Sequence, residues 1–272
     1  MLINASVLLL ISVYAVVERL TMNEMKRLLS FVRRAVDDYN MIDDGDRIAV
    51  GISGGKDSLT LLSALAEMRR FYPKKYELVA ITVDMGFEGS DFSEIAEFSR
   101  RLGVEYRVVR TDIAKIIFDV RKESNPCSLC AKMRRGSLHA EAQAASCNKV
   151  ALGHHYDDAV ETFMMNLFFE GRLGCFSPKS YLSNRKLTLI RPLIYATEKD
   201  VMYFVRKRPM PVTASLCPED HATERENMKK LLAELEHDNK GLKHRIFKAM
   251  CKAEIDGFKD SGKYPDAGKI ED

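Results

Sequence analysis

The chain has 272 residues, and its 46% hydrophobic content can supply the core of one large or two modest globular domains. Its 42 basic side chains against 39 acidic ones leave a formal charge of only +3, so net charge gives no argument for a nucleic-acid partner. Six cysteines without the dense spacing of a small secreted scaffold exclude a disulfide-stapled fold and indicate a reducing compartment. We therefore expect a cytoplasmic protein.

The first segment is apolar. Residues 1–17 carry no charge and include the run Val7–Ile11. The run is shorter than the roughly 20 apolar residues of a membrane span, and it has no preceding Lys or Arg as in a signal peptide. We expect no membrane association. Residues 1–24 are interpreted as an upstream extension, with translation starting at Met22 or Met25, in preference to an apolar helix packed on the domain.

Helical and extended patterns alternate along the rest of the chain. Apolar residues at helical spacing predict an N-terminal amphipathic helix over residues 25–40. This alternation predicts an α/β fold with a doubly wound parallel sheet of about five strands. The predicted strands are 47–52, 78–83, 104–109, 150–152 and 187–190, and the later predicted helices are 59–71, 92–102, 131–145, 157–169, 198–206 and 222–236.

The most informative stretch follows the first predicted strand, and it reads Ser53-Gly54-Gly55-Lys56-Asp57-Ser58. Adjacent glycines let backbone N–H groups face outward, and the following helix adds its positive end. Lysine and serine side chains add further donors. An ordinary glycine turn explains most Gly-Gly pairs, but it does not explain this coincidence. The stretch fits neither GxxxxGK(S/T) nor GxGxxG, and it predicts a phosphate-binding loop of another kind.

This loop resembles the SGGKDS sequence of the N-type ATP pyrophosphatases of the PP-loop family. The resemblance implies an adenine nucleotide alpha hydrolase (HUP-like) fold that binds ATP and Mg²⁺ at Ser53 to Ser58. The loop would grip the β- and γ-phosphates, so the α-phosphorus is attacked and pyrophosphate leaves. It further implies catalytic roles for Lys56 and Asp57.

Residues 46–210 are accordingly predicted to form the PP-loop nucleotide-binding domain, after an N-terminal helical part at 25–45. The Pro-containing stretch Arg208–Pro211 interrupts the helical pattern. Beyond it we expect a helical C-terminal part, 211–256, and a loose tail, 257–272.

Two further segments should lie at the same sheet edge as the loop, because ligands of doubly wound folds bind outside the carboxyl ends of the strands. Asp84 ends the second predicted strand, and Gly153 and His154 follow the fourth. The resemblance implies that Asp84 and neighbouring backbone hold adenosine, and that Gly153 lets the chain approach the nucleotide. A turn cap is the alternative role of Asp84.

Acidic residues follow His154 at helical spacing. If the helix starts at His154, this residue shares one face with Asp157, Asp158 and Glu161. Such a face could hold magnesium or orient the nucleophile, and we include His154 and Asp158 among the nucleotide-binding residues. Alternatively, Asp157 and Asp158 are first-turn carboxylates favoured by the helix dipole.

Cys127 and Cys130 form a CxxC pair at the start of a predicted helix. The helix dipole and the basic residues 132–135 favour thiolates there. The pair alone permits a metal half-site, a redox pair or incidental cysteines, although a redox pair would be expected after a first strand. Cys217 offers a third thiol. The other cysteines have no motif and are expected to be free thiols or packing residues: Cys147, Cys175 and Cys251.

Several motifs in this order resemble the TtcA-like tRNA 2-thiocytidine synthases over about residues 25–250. The resemblance implies that Cys127, Cys130 and Cys217 bind a 4Fe-4S cluster, and that Cys127 and Cys130 act in catalysis. Zinc, completed by a residue such as His221, is the alternative. The motifs are the phosphate loop, CSLC with Arg134-Arg135-Gly136, HHYDD with Glu161-Thr162, Ile190-Arg191-Pro192-Leu193, and Cys217-Pro218.

The resemblance implies that the C2 oxygen of a tRNA cytidine is adenylated and that sulfur then displaces AMP. Its implied partners are tRNA and a sulfur donor such as a cysteine desulfurase, and a homodimer is expected. A uridine thiolase, a lysidine synthetase-like enzyme and a non-catalytic sulfur carrier are the alternatives. Each basic cluster of the sequence, taken alone, is explained by a solvated helix face, but several on one surface could follow an RNA backbone. The clusters are 132–135, 185–186, 206–208, 229–230 and 240–245.

Overall fold

The protein is described by a computed structural model that covers residues 26–121, 126–214, 216–218, 224–260 and 262. The predicted extension at 1–24 and the candidate zinc ligand His221 lie outside these residues. In the part of the chain described, no helix is both long and apolar enough to cross a membrane.

One six-stranded sheet forms the centre of the fold, in the order β3-β2-β1-β4-β6-β5. Five strands are parallel, as predicted, and β5 pairs antiparallel with β6. The sixth strand was not predicted, because its sequence KSYL is mostly polar and half-exposed at the sheet edge. The strands are β1 (Asp46–Ile52), β2 (Tyr76–Asp84), β3 (Glu105–Arg110), β4 (Lys149–Ala151), β5 (Lys179–Leu182) and β6 (Leu187–Ile190).

The helices flank the sheet. They are α1 (26–38), α2 (Lys56–Met68), α3 (Ser93–Arg101), α4 (Pro126–Ala144), α5 (Tyr156–Phe169), α6 (Glu198–Arg206), α7 (Glu224–Asp238) and α8 (Leu242–Lys252). A π-helical turn at Lys115–Arg121 and a 3-10 turn at Ile255–Gly257 were not predicted. α4 begins five residues before its predicted start, since proline suits the first helical position, and the CxxC pair therefore lies inside its first turns.

Both sheet faces are covered. Alternate residues of β1 point to opposite sides: Ile48 and Val50 join the larger core, whereas Ala49 packs with Leu138 and Ala142 of α4. The strand order reverses between β1 and β4, so the loops that follow these strands meet at a topological switch point. This arrangement brings the phosphate loop after β1 and the segment that follows β4, with Gly153 and His154, to the same edge of the sheet.

The C-terminal helices complete the larger core. Phe247 of α8 stacks on Tyr156 at 4.4 Å between ring centroids, and Phe258 meets Phe247 edge-on at 5.5 Å. Phe258 is fully buried. A loose tail was predicted from residue 257, and the burial of Phe258 corrects that boundary, because its ring completes an aromatic cluster.

Candidate active site at the carboxyl edge of the sheet

The predicted phosphate loop joins β1 to α2. Gly54 has a φ of +84°, which favours glycine, and Gly55 is the extended N-cap residue of α2. The hydroxyl of Ser58 donates to the carbonyl of Gly55 at 2.9 Å and accepts the N–H of Ser53 at 3.2 Å. The serines therefore brace the turn, while the start of α2 supplies its backbone donors for an anion.

The segment after α6 lies directly against this loop. The N–H of Thr213 donates to the carbonyl of Gly54 at 3.0 Å. A Cβ atom added at Gly54 would lie 2.2 Å from Thr213 Oγ1. Gly54 is thus required both for its left-handed backbone and for this close approach.

Replacing Gly54 with Ala is expected to distort the loop and abolish ATP binding, because a left-handed alanine costs about 1 kcal/mol and its Cβ also collides with Thr213. The matched control is Gly45→Ala, at φ +81° with open space around the Cβ. Urea unfolding should show a larger loss in the free energy of unfolding for Gly54→Ala than for Gly45→Ala. Adding Thr213→Ala should recover part of the stability that Gly54→Ala loses. Equal losses of stability in Gly54→Ala and Gly45→Ala, with ATP still bound by both variants, would show that the Cβ atom does not collide with Thr213.

Lys56 and Asp57 lie together at the start of α2, as predicted. Lys56 Nζ is 3.3 Å from Asp57 Oδ2 and 3.1 Å from Glu198 Oε1. Burial lowers the pKa of Lys56, but the charges of Asp57 and Glu198 outweigh it and raise the pKa, so the ammonium stays charged. Asp57 Oδ1 is buried and accepts no hydrogen bond from the described residues, and His155 Nε2 lies 3.7 Å from it. A carboxylate oxygen that accepts no hydrogen bond suits a hard cation such as Mg²⁺.

Gly153 lies where the chain after β4 passes the start of α2. A Cβ atom there would be 3.1 Å from the nitrogen of Ser58 and 3.2 Å from the carbonyl oxygen of Asp57. The close approach expected at Gly153 is therefore made to the first turn of α2, beside the phosphate loop.

Helix α5 begins at Tyr156, one residue before its predicted start, so the condition under which His154 would share a helix face with the acids is not met. His155 is the N-cap: its Nδ1 accepts the N–H of Asp158 at 3.3 Å, and Asp158 Oδ2 accepts the N–H of His155 at 2.8 Å. This capping box places His154 outside the helix and off the face of the acidic residues. It confirms the alternative of a first-turn carboxylate for Asp158.

The other two acids of α5 are held by cations from the C-terminal helices. Asp157 Oδ1 is 2.8 Å from Lys243 Nζ, and its Oδ2 accepts the N–H of Glu198 at 2.7 Å. Glu161 is 3.3 Å from Arg225, and burial raises the pKa of its carboxyl. Both carboxylates are thus occupied by structural contacts, which the sequence did not indicate.

His154 instead forms a cluster with the buried Arg191 and the half-buried Phe176. Arg191 Nε donates to His154 Nδ1 at 3.3 Å, and the ring of Phe176 lies 4.8 Å from the His154 ring and 4.7 Å from the guanidinium. Burial and the charge of Arg191 lower the pKa of His154 to about 4. The imidazole is therefore neutral at physiological pH and accepts from Arg191.

Because the folded pKa of His154 lies below the ordinary value near 6.5, its contribution to stability is complete above pH 6.5 and is lost as the pH falls toward 4. The linked loss is at most about 3 kcal/mol. Denaturant unfolding from pH 7.5 to 4.5 should show a shallower decline for His154→Asn than for wild type. The exposed His237→Asn variant is the control, and parallel curves for wild type and His154→Asn would refute the linkage.

Asp84 ends β2, as predicted, beside a cavity of about 480 Å³. Its Oδ1 accepts the N–H of Gly86 at 2.9 Å, which confirms a turn-capping contact. One carboxylate oxygen in this turn still leaves the second for another donor. The cavity walls near Asp84 include Phe87, Phe92, Tyr106 and Arg110.

Of the three cysteines predicted to bind the cluster, Cys217 lies near enough to Cys130 for its charge to affect the pKa of Cys130. Cys127 and Cys130 lie one turn apart on α4, where Cys127 is exposed and Cys130 half-buried. Burial raises the pKa of Cys130; Arg134 opposes this, and nearby Cys217 and Cys127 add to it. The expectation that dipole and basic residues favour the thiolate is wrong for Cys130, because burial from tertiary packing dominates.

Within the described ranges, no group of three or more His, Cys, Asp or Glu side chains is arranged to hold a metal ion. The chemistry of the donors nevertheless fits an iron–sulfur cluster, since all three neighbouring side chains are thiols. The predicted packing role of the remaining cysteines is confirmed by their burial: Cys147, Cys175 and Cys251.

Comparisons with known proteins identify the family of this chain. A family model described as a PP-loop domain matches residues 22–235. The chain is 44% identical over 228 residues to the tRNA-cytidine(32) 2-sulfurtransferase of Geobacter sulfurreducens, covering 83% of this chain and 89% of that protein. It is 40% identical over 239 residues to the enzyme of the same name from Citrifermentans bemidjiense, covering 87% and 94%.

Among solved structures, the chain is similar to the U34-tRNA thiolase NcsA from Methanococcus maripaludis with its 4Fe-4S cluster. The TM-score is 0.73 at 27% identity, covering 86% of this chain and 79% of that one. The chain belongs to the PP-loop family.

Proposed function

We propose that this protein is an ATP-dependent tRNA sulfurtransferase that forms 2-thiocytidine. The observation that carries the proposal is the link between the phosphate loop and the cysteines. Thr213 bonds Gly54, and four residues later the same segment supplies Cys217, whose charge acts on Cys130. Four residues span at most about 14 Å, so ATP activation and sulfur delivery can serve one site. The named activity of the curated relatives supports a tRNA cytidine as substrate.

The site residues divide the work of activation. Asp84 and its cavity would hold adenosine, the loop from Ser53 to Ser58 would hold the β- and γ-phosphates, and Asp57 Oδ1 would meet Mg²⁺. The cytidine C2 oxygen attacks the α-phosphorus, and the bond to the bridging oxygen breaks, with its electron pair leaving on pyrophosphate. Lys56 offsets that developing charge. A sulfide equivalent then bonds to C2, and the C–O bond breaks to release AMP.

The cysteines would hold the sulfur-transfer cofactor, with ligands Cys127, Cys130 and Cys217. A 4Fe-4S cluster with three protein ligands supplies one open iron to an exogenous sulfide. The exposure of Cys127 keeps this end of α4 accessible to a sulfur donor such as a cysteine desulfurase. A homodimer in the cytoplasm is the assembly we propose.

The RNA would enter past the first turns of α4. Lys132, Arg134 and Arg135 are exposed there, beside the cysteines. Basic side chains that follow phosphates make binding salt-dependent and independent of base sequence, so cytidine would be selected at the site itself.

The direct test supplies anaerobically purified protein with α-labelled ATP, sulfide and unmodified tRNA. We expect tRNA-dependent AMP and pyrophosphate together with 2-thiocytidine in nucleoside mass spectra. ADP as the product, or no ATP turnover, would refute the proposal. The U34-tRNA thiolase neighbour favours uridine as a second candidate substrate, which 2-thiouridine in the same spectra would establish.

A further inference from the structure

A second lysine reaches the phosphate loop from the C-terminal helices. Lys229 Nζ of α7 is 2.8 Å from Glu198 Oε1, and the same oxygen is 3.1 Å from Lys56 Nζ. The two ammonium nitrogens therefore cannot be further apart than these two distances together. Lys229 keeps 39% of its side-chain surface exposed and Lys56 31%, whereas Glu198 keeps only 19%. Both cations can thus be reached by a ligand, and the carboxylate between them is largely enclosed.

Glu198 is held at this position by the start of α6. Thr197 and Asp200 form a capping box that fixes the first turn, and the N–H of Glu198 bonds Asp157. Burial raises the pKa of Glu198, but the hydrogen bond from Lys229 and the charge of Lys56 lower it to about 2. One ionised carboxylate is therefore shared by two ammonium groups, beside a loop whose chemistry suits a polyanion.

A purely structural role for Lys229 would be to hold α7 against the rest of the domain. Other residues already hold that helix in place, because Met228 and Leu232 are buried in the core. Arg225, one turn earlier on the same face, bonds Thr162 Oγ1 at 2.9 Å and pairs with Glu161. Lys229 instead contacts the carboxylate that also pairs with Lys56 of the phosphate loop.

We propose that Lys229 is a second phosphate-binding lysine, which contacts the leaving pyrophosphate together with Lys56 while Glu198 is the counter-ion that positions both. This inference rests on the proposed function. A lysine ammonium on a flexible stem carries three donors, so each can turn from the carboxylate to a phosphate oxygen with a small displacement. The C-terminal part then supplies a group of the pyrophosphate site itself.

The test measures calorimetric binding of inorganic pyrophosphate and, separately, of AMP. Lys229→Met is expected to weaken pyrophosphate binding about 10- to 100-fold, the loss for one charged hydrogen bond, and to leave AMP binding unchanged. Lys229→Arg should retain most of the affinity. The matched control is Lys230→Met, which removes the exposed neighbouring charge on the same helix.

Thermal unfolding separates a binding role from a fastening role. Lys243→Met removes the other lysine that ties the C-terminal helices to an active-site acid, and it serves as the stability comparator. The inference alone would be overturned if Lys229→Met weakened the binding of pyrophosphate and of AMP equally. It would also be overturned if Lys229→Met bound pyrophosphate as tightly as Lys230→Met does. Wild-type protein that binds neither ATP nor pyrophosphate would overturn the proposed function as well.

Discussion

Replacing Lys56 with Met is expected to lower tRNA-dependent pyrophosphate release by about 10²- to 10³-fold, the typical loss for one preorganised electrostatic group. Asp57 and Glu198 hold the Lys56 ammonium in its charged form at the start of α2. Its charge is needed most when the bond to the leaving phosphates breaks, so the loss should fall mainly on kcat.

The Lys56→Met measurement is a single-turnover assay with labelled ATP and saturating tRNA. The control is Lys252→Met, which removes one exposed charge at the end of α8, outside the basic clusters named above. Thermal unfolding should give similar midpoints for the two variants. If the Lys56→Met enzyme released pyrophosphate at the wild-type rate, the proposed role of the phosphate loop in the reaction would be wrong.

Replacing Cys127 with Ser is expected to abolish thiolation and to spare adenylation. The Cys127 side chain lies exposed on the first turn of α4, outside the core, so its loss should not disturb the phosphate loop. A serine hydroxyl is a poor ligand for iron in a thiolate site. Iron and sulfide should therefore fall after anaerobic purification, and 2-thiocytidine should disappear.

Pyrophosphate release is the second readout of Cys127→Ser, and it should stay close to wild type. Cys147→Ala provides the control, because Cys147 is buried in the smaller core with Leu138 and Ala142 and is not a predicted cluster ligand. Parallel loss of pyrophosphate release and thiolation in Cys127→Ser would contradict the division of labour between loop and cysteines. Zinc in place of iron and sulfide in the wild-type protein would contradict the cluster.

The features predicted best from the sequence are those set by local chemistry. The loop from Ser53 to Ser58 combines glycines, hydroxyls and a helix start within six residues, and the structure has this turn. Strand β6 and helix α6 have the predicted bounds, because apolar patterning and the Thr197 cap are local signals. By contrast, β5 is short and polar, and only its hairpin with β6 makes it a strand.

The features that the sequence could not give depend on long-range packing. Nothing near Lys229 or Lys243 marks them as partners of acids at the phosphate loop. The start of α5 was predicted to within one residue, but its N-cap was not, because histidine is an uncommon N-cap, although Asp158 at the third helical position was an available signal. The raised pKa of Cys130 likewise comes from burial, which the basic residues around it in sequence do not reveal.

The ionic contacts of the C-terminal helices make the nucleotide-binding domain dependent on them. Removing everything after residue 223 would take away the cations that pair with Asp157 and Glu161, and it would expose the apolar surface that Met228, Leu232 and Phe247 now cover. The catalytic edge is therefore not a module that can be cut out or grafted alone. A chimaera with a foreign C-terminus would need basic residues at the places of Arg225, Lys229 and Lys243 to restore the ion pairs with Glu161, Glu198 and Asp157.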